Sequence, residues 1–176
     1  MLAPLGASYG RAVRRRGASV TVRGGPVVPD DPEAAVARGG APREPGRPRG
    51  GPYEWLQRGL ALLADGEAAA AATLLARAHA HEPRSTGVLE ALARAQYDAG
   101  DVTAAAESFR RLAHARPADD YAHFGLGLSL SRLGHLGPAV EHLAMAHAMR
   151  PDRPEYADRL RQVRATLAAR QSPGSP

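Results

Sequence analysis

The sequence predicts an all-α solenoid, a row of helical hairpins that stack in order along the chain. Three residue types predict it, because each recurs every 34 residues and all three keep one phase. These phased positions are the prolines Pro83, Pro117 and Pro151, the glycines Gly66, Gly100 and Gly134, and the alanines Ala71, Ala105 and Ala139. A period of this length is typical of repeat architectures in which each unit is a pair of helices.

Helical periodicity and helix-end signals predict seven helices, over residues 53–65, 68–81, 87–99, 102–115, 121–133, 136–149 and 154–170. Each phased glycine follows an apolar helical run, where it can adopt a left-handed backbone without steric strain. Each phased proline follows a helix that cannot continue through it. Suitable N-caps precede the later helices, namely Ser85 or Thr86, Asp101, Asp119 or Asp120, and Asp152 before Pro154.

Small residues mark the predicted crossings between the two helices of each hairpin. Gly59, Ala93 and Gly127 lie in the first helices, and the phased alanines face them from the second helices. Small side chains let helix axes approach closely while larger neighbours fill the seam. The seventh helix has no partner after it, and its apolar residues share one side: Tyr156, Leu160, Val163 and Leu167. It is therefore predicted to cap the third hairpin.

The residues at equivalent positions carry a family resemblance. Repeat one supplies Trp55, Gly59, Leu62, Gly66, Ala71, Leu75, Ala78 and Pro83; repeat two supplies Leu89, Leu92, Ala93, Gly100, Ala105, Phe109 and Pro117; repeat three supplies Leu126, Gly127, Leu130, Gly134, Ala139, Leu143, Ala146 and Pro151. The chain resembles a tetratricopeptide repeat (TPR) protein with repeats at 52–85, 86–119 and 120–153 and a capping helix at 154–170. Arg58 and His123 depart from the apolar residues usual in the family.

The resemblance implies a right-handed α–α superhelix that acts as a non-enzymatic protein-binding scaffold or adaptor, with the first helix of each repeat lining a concave groove. Helical spacing turns eleven residues away from the packing seam: Tyr53, Leu56, Leu60, Glu90, Arg94, Tyr97, Asp98, Tyr121, Phe124, Leu128 and Arg132. Aromatic and arginine side chains are common anchors of protein interfaces. Groove and core are equal alternatives for Leu60 and Phe124, whereas the groove is favoured for Tyr121, Arg94 and Arg132.

The groove composition indicates the kind of partner. A groove that mixes apolar residues with Arg94 and Arg132 fits a peptide or partner helix with some acidic character. The best-known binding mode of the family grips the terminal carboxylate of chaperones with lysine and asparagine side chains. Leu56 and Leu60 stand where that mode needs polar residues, and the chain contains no lysine. A chaperone co-factor role is therefore disfavoured.

Residues 1–51 differ from the rest of the chain in composition. They are rich in glycine and proline, with nine arginines against four acidic residues, so they account for the whole formal charge of +5. Such a segment is predicted to be a disordered arm, and residues 171–176 a disordered tail. We expect a cytoplasmic protein that does not enter a membrane, because the longest apolar stretch, 68–76, is too short to span a bilayer. An organellar transit peptide in residues 1–30 is a minor alternative.

Neither catalysis nor metal binding is predicted. The absence of cysteine excludes thiolate chemistry. The spacings His79/His81 and His142/His147 do not put either pair on one helix face, so solvated or half-buried histidines are expected. Gly125 and Gly127 lack the rest of a dinucleotide fingerprint and are better explained by close helix packing. No cofactor is therefore expected.

Two other functions remain open alternatives. The basic run Arg11, Arg14, Arg15 and Arg16 has no interleaved aromatic residues, so it offers weak, salt-dependent and non-specific attraction to nucleic acid. The chain could also be a non-catalytic subunit of a larger complex. The sequence leaves the identity of the partner and the oligomeric state open.

Overall fold

The computed structural model describes residues 50–172, and these residues form an all-α solenoid. Its helices are α1 Pro52–Ala64, α2 Ala68–His81, α3 Thr86–Asp98, α4 Val102–Ala115, α5 Asp120–Arg132, α6 Leu136–Met149 and α7 Pro154–Gln171. Each helix packs against the next, and the odd-numbered helices α1, α3, α5 and α7 also contact one another in order. All seven predicted helices are confirmed, with ends that differ by at most one residue. Residues 1–49 of the predicted arm and 173–176 of the predicted tail lie outside the described residues, while Gln171, predicted as the first residue of the tail, is the last residue of α7.

The helix ends form as the sequence predicts at the phased glycines. Gly66, Gly100 and Gly134 have φ angles of 82°, 86° and 83°, so each adopts the left-handed backbone. After α1 the Gly66 N–H donates to Leu63 O at 3.2 Å and the Glu67 N–H donates to Leu62 O at 2.8 Å. These two hydrogen bonds pair two backbone carbonyls that the helix itself leaves free, and they reverse the chain direction before the second helix.

Side-chain caps begin three of the helices. Ser85 Oγ accepts from the Val88 N–H at 3.4 Å, and Asp101 Oδ1 accepts from the Ala104 N–H at 3.2 Å. Asp119 likewise caps α5. The prediction for Asp152 is wrong, because Arg153 is the N-cap of α7 and the Asp152 carboxylate instead accepts two hydrogen bonds from Arg150 at 3.0 Å. These bonds hold the pKa of Asp152 below its ordinary value.

Close crossings hold each hairpin together. The three phased alanines are fully buried, as predicted. A Cβ atom on Gly59 would lie 2.6 Å from Leu75 Cγ, and one on Gly127 would lie 2.7 Å from Leu143 Cγ. Gly125 makes a similar approach between neighbouring repeats, since its Cβ would lie 2.4 Å from two ring carbons of Phe109. The interpretation of these glycines as packing residues is therefore confirmed.

Helix α7 covers the last hairpin. Tyr156, Leu160 and Val163 are buried, and Leu167 packs against the same core cluster. The Tyr156 ring stacks on Phe124 with centroids 4.2 Å apart, and its hydroxyl donates to Asp120 Oδ2 at 2.7 Å. The predicted capping role of α7 is confirmed.

Candidate functional site on the first helices

The candidate site is the face formed by α1, α3, α5 and α7, which we call the groove face. At its N-terminal end, α1 presents Tyr53, Leu56 and Leu60, which lie on one side of the helix by their spacing. Tyr53 is 70% exposed and Leu60 is 40% exposed, whereas Leu56 is half-buried. Large apolar side chains left in solvent are a common mark of interaction surfaces when they are contiguous. Leu60 is therefore not a buried core residue, and its place in a binding groove stays a prediction.

The middle of the groove face carries a charged row on α3. Arg94 Nε lies 3.7 Å from Asp98 Oδ2, and Glu90 Oε2 accepts from Arg116 Nη1 at 3.2 Å. Burial, and next the negative charge of Asp119, raise the pKa of Glu90 above its ordinary value, while Arg116 opposes them. The charge of Arg94 is therefore balanced within its own helix, which makes it a weaker anchor for an acidic partner than the sequence suggested.

Arg132 is held over Tyr97 at the C-terminal end of the groove face. Its guanidinium carbon lies 4.1 Å from the centroid of the Tyr97 ring, and Nη1 donates to the Tyr97 carbonyl at 3.3 Å. The ring is 2% exposed, and its burial raises the pKa of the phenol. An aromatic face attracts a cation without cancelling its charge. Arg132 is thus oriented by contacts that leave it able to meet a carboxylate.

A cavity of about 170 Å³ lies beside Arg132 and is lined by residues of α3, α5 and α7. Its lining combines an apolar floor with polar and cationic walls, namely Tyr97, Leu128, Ser131, Arg132, Arg159, Gln162, Val163 and Thr166. Arg159 comes from α7 and donates to Gln162 Oε1 at 2.9 Å. Within residues 50–172, neither Arg132 nor Arg159 forms an ion pair with a carboxylate. Arg159 is absent from the predicted groove set, because the sequence predicts α7 only as a capping helix.

Four residues predicted for the groove are buried, and their assignment as open surface residues needs correction. Tyr97, Tyr121, Phe124 and Leu128 are each at most 7% exposed. Tyr121 packs edge-on against Phe109 of α4, with ring centroids 5.9 Å apart. Phe124 lies beneath Tyr156 of α7, and Tyr97 lies beneath Arg132. Helix α5 is covered from several sides, so helical spacing alone overstates how much of it reaches solvent.

A histidine pair joins α5 to α6, and histidine spacing within a single helix does not predict it. His123 and His142 stack with ring centroids 5.3 Å apart and Nδ1 atoms 3.1 Å apart. His123 Nε2 lies 3.0 Å from the Pro117 carbonyl, which can accept but not donate. Neutral His123 therefore donates from Nε2 and accepts at Nδ1 from His142. Burial, and next the charge of His123, lower the pKa of His142.

The described part of the chain supplies two further findings about chemistry. No group of three or more histidine, aspartate or glutamate side chains among residues 50–172 is arranged to hold a metal ion. None of the helices in this range has both the length and the apolar character required to cross a bilayer.

Comparison with known proteins agrees with this architecture. A family model described as a tetratricopeptide repeat matches residues 62–123. A comparison with curated proteins found no match. Among solved structures, the first TPR domain of human RPAP3 aligns with a TM-score of 0.62 at 15% identity, covering 67% of this chain and 93% of that chain.

Two further solved structures align over a similar part of the chain. MamA from Desulfovibrio magneticus RS-1, from residue 41 to its end, has a TM-score of 0.64 at 20% identity, covering 66% of each chain. The first TPR of Spaghetti (RPAP3), bound to the HSP90 peptide SRMEEVD, has a TM-score of 0.63 at 15% identity, covering 66% of this chain and 93% of that chain. With the phased sequence positions and the stacked hairpins, these matches show that the chain has the fold of tetratricopeptide repeat proteins, and the repeat model itself matches residues 62–123.

Proposed function

We propose that this protein is a non-enzymatic adaptor whose groove face binds an extended peptide or a helix of a partner protein. The observation that carries the proposal is the cavity at Arg132 and Arg159, where two arginines that form no ion pair with a carboxylate of residues 50–172 flank an apolar floor. Buried apolar contacts combined with directional arginine hydrogen bonds are the usual anchors of a protein interface. The solenoid supplies a rigid support for both kinds of contact.

The distribution of charge along the groove face indicates the chemistry of the partner. Its α1 end is apolar at Tyr53 and Leu60, whereas its α7 end is cationic at Arg132 and Arg159. A matching partner carries an aromatic or aliphatic side chain for the first end and an aspartate or glutamate for the second. The HSP90 peptide SRMEEVD in the RPAP3 structure is also acidic. Here, however, Leu56 and Leu60 favour a partner with a larger apolar contribution.

A peptide selection tests this proposal. Random peptides displayed on phage are selected against the full-length protein, and the affinity of an enriched peptide is then measured by fluorescence anisotropy. We expect enriched peptides to combine acidic and large apolar residues. Arg132→Gln or Arg159→Gln should weaken binding about tenfold, because each removes a charge-assisted hydrogen bond.

Arg161→Gln is the matched control for this experiment. Arg161 lies on α7, as Arg159 does, but it is exposed and pairs with Asp158 outside the cavity. Its substitution should therefore leave the peptide affinity unchanged. Selected peptides without acidic residues, or equal losses in all three variants, would contradict the proposed site. Circular dichroism of each variant separates loss of binding from loss of fold.

A further inference from the structure

A second, larger cavity lies away from the groove face. It has a volume of about 590 Å³ and is formed by the α2–α3 connection, the start of α3 and the second half of α4. Its lining shares no residue with the predicted groove set or with the cavity at Arg132: Pro83, Arg84, Ser85, Thr86, Leu89, Glu107, Arg110, Arg111, His114 and Ala115. The volume is within the range typical of small-ligand sites, which is about 300–1,000 Å³.

The charge of this cavity is unbalanced. Arg84, Arg110 and Arg111 line it, and the one carboxylate in the lining belongs to Glu107, which bonds to Arg110. Within residues 50–172, Arg84 and Arg111 form no ion pair with a carboxylate. The four charged groups therefore leave a formal excess of two positive charges, even with His114 neutral.

Arg111 is positioned without being neutralised. Its Nη2 lies 2.9 Å from Nε2 of His79, and the guanidinium can act only as the donor, so the imidazole nitrogen accepts. Burial, and next the charge of Arg111, lower the pKa of His79, which keeps this partner uncharged at neutral pH. A carboxylate in the same place would orient the arginine and cancel its charge. The imidazole orients it and leaves the charge available.

The rest of the lining indicates what an anion in this cavity would be attached to. Leu89 is buried beneath the surface, and Pro83 and Ala115 add further apolar wall. Ser85 Oγ accepts from the Val88 N–H, which leaves its own hydroxyl hydrogen able to donate. The volume exceeds the space that an inorganic anion needs, so the walls favour a ligand with an apolar body.

We propose that this cavity binds a phosphate monoester carried on an aromatic or other apolar body. A phosphate dianion matches the excess of two charges, and its oxygens suit the forked donors of Arg84 and Arg111 better than a single carboxylate does. Such a group could be part of a soluble metabolite or of a phosphorylated side chain. The shared chemistry is the monoester next to an apolar group.

The test uses phenyl phosphate as the probe and the full-length protein labelled for NMR. We expect saturable shifts of the backbone amides of Thr86, Leu89 and Ala115, and binding about tenfold weaker for benzoate, which carries one charge fewer. Arg84→Gln and Arg111→Gln should each weaken phenyl phosphate binding about tenfold. Stronger binding of adenosine monophosphate than of a short phosphotyrosine peptide would assign the ligand to metabolites, and the reverse order to modified proteins.

Control variants keep this proposal separate from the proposed peptide site. Arg161→Gln removes one exposed arginine elsewhere, and Arg132→Gln removes one from the groove face, so neither should change phenyl phosphate affinity. Absence of saturable shifts, equal affinity for benzoate, or equal losses in all four arginine variants would overturn the proposal. If the natural protein binds phenyl phosphate but no acidic peptide, the proposed function is wrong and the phosphate site stands. If it binds the peptide but not phenyl phosphate, the phosphate site is wrong and the proposed function stands.

Discussion

Replacing Gly125 with alanine tests how tightly neighbouring repeats pack. The added Cβ would lie 2.4 Å from two ring carbons of Phe109, far inside van der Waals contact. Phe109 is completely buried and packs edge-on against Tyr121, so its ring has little room to move. Overpacking of this kind costs about 3 kcal/mol at the upper end of the usual range. The gain in helix propensity from glycine to alanine returns about 1 kcal/mol.

The net expectation for Gly125→Ala is therefore a decrease of about 2 kcal/mol in the free energy of unfolding. That corresponds to a melting temperature lower by roughly 6–10 °C for a domain of this size. Urea unfolding followed by circular dichroism measures the first quantity, and thermal unfolding measures the second. Gly87→Ala is the matched control, because nothing lies within 4 Å of its added Cβ on α3. It should raise stability by about 0.5 kcal/mol.

A double-mutant cycle identifies the clash itself. In a Phe109→Leu background the ring is absent, so Gly125→Ala should cost at least about 1 kcal/mol less than in the natural chain. If Gly125→Ala is as stable as the natural protein, the close approach of α4 and α5 does not limit the side chain there. The same loss in both backgrounds would show that Phe109 is not the group that resists the methyl.

Three further perturbations probe separate contacts. Asp101→Ala should lower the free energy of unfolding by about 1 kcal/mol in urea titration, because the α4 cap is lost; an unchanged midpoint would contradict this. Tyr156→Phe should cost about 1–2 kcal/mol by the same measurement, since its hydroxyl donates to Asp120, and a neutral effect would make that bond dispensable. Because the pKa of His142 is lowered in the folded protein, the unfolded chain binds the proton first as the pH falls, so the contribution of His142 to the free energy of unfolding should be complete above about pH 6.5 and decrease below it. His142→Asn should therefore reduce the loss of stability between about pH 7.5 and 5.5, measured by urea unfolding. The same pH dependence in both proteins would show that His142 does not cause the loss.

The sequence predicts the helices of the repeats well because each boundary has a local cause. Gly66 ends α1 and Asp101 begins α4 through contacts within a few residues, so their chemistry can be recognised without the tertiary structure. Packing between repeats is harder to predict, because it depends on how far one helix overlies another. Helical spacing predicts groove and core equally for Phe124, and the stacking of Tyr156 on its ring decides in favour of the core.

The candidate site was therefore predicted only in part. The exposure of Tyr53 and Leu60 follows from their position on the first helix, which has no earlier repeat to cover it in the described part of the chain. Arg159 and the pairing of His123 with His142 arise from residues on different helices. A comparison of equivalent positions across neighbouring helices, rather than spacing within one helix, could have suggested both.

The apolar core is unequally divided along the solenoid, and this has a consequence for motion. One buried cluster links α1 and α2 to α3, while a much larger one continues from α3 to α7. In a linear array each unit gains support from its immediate neighbours alone, so the hairpin with the smaller cluster should open first. Amide hydrogens of α1 should then exchange with deuterium sooner than those of α5. A partner that binds Tyr53 and Leu60 would slow this local opening, so binding should lower the amide exchange rates throughout α1 and α2.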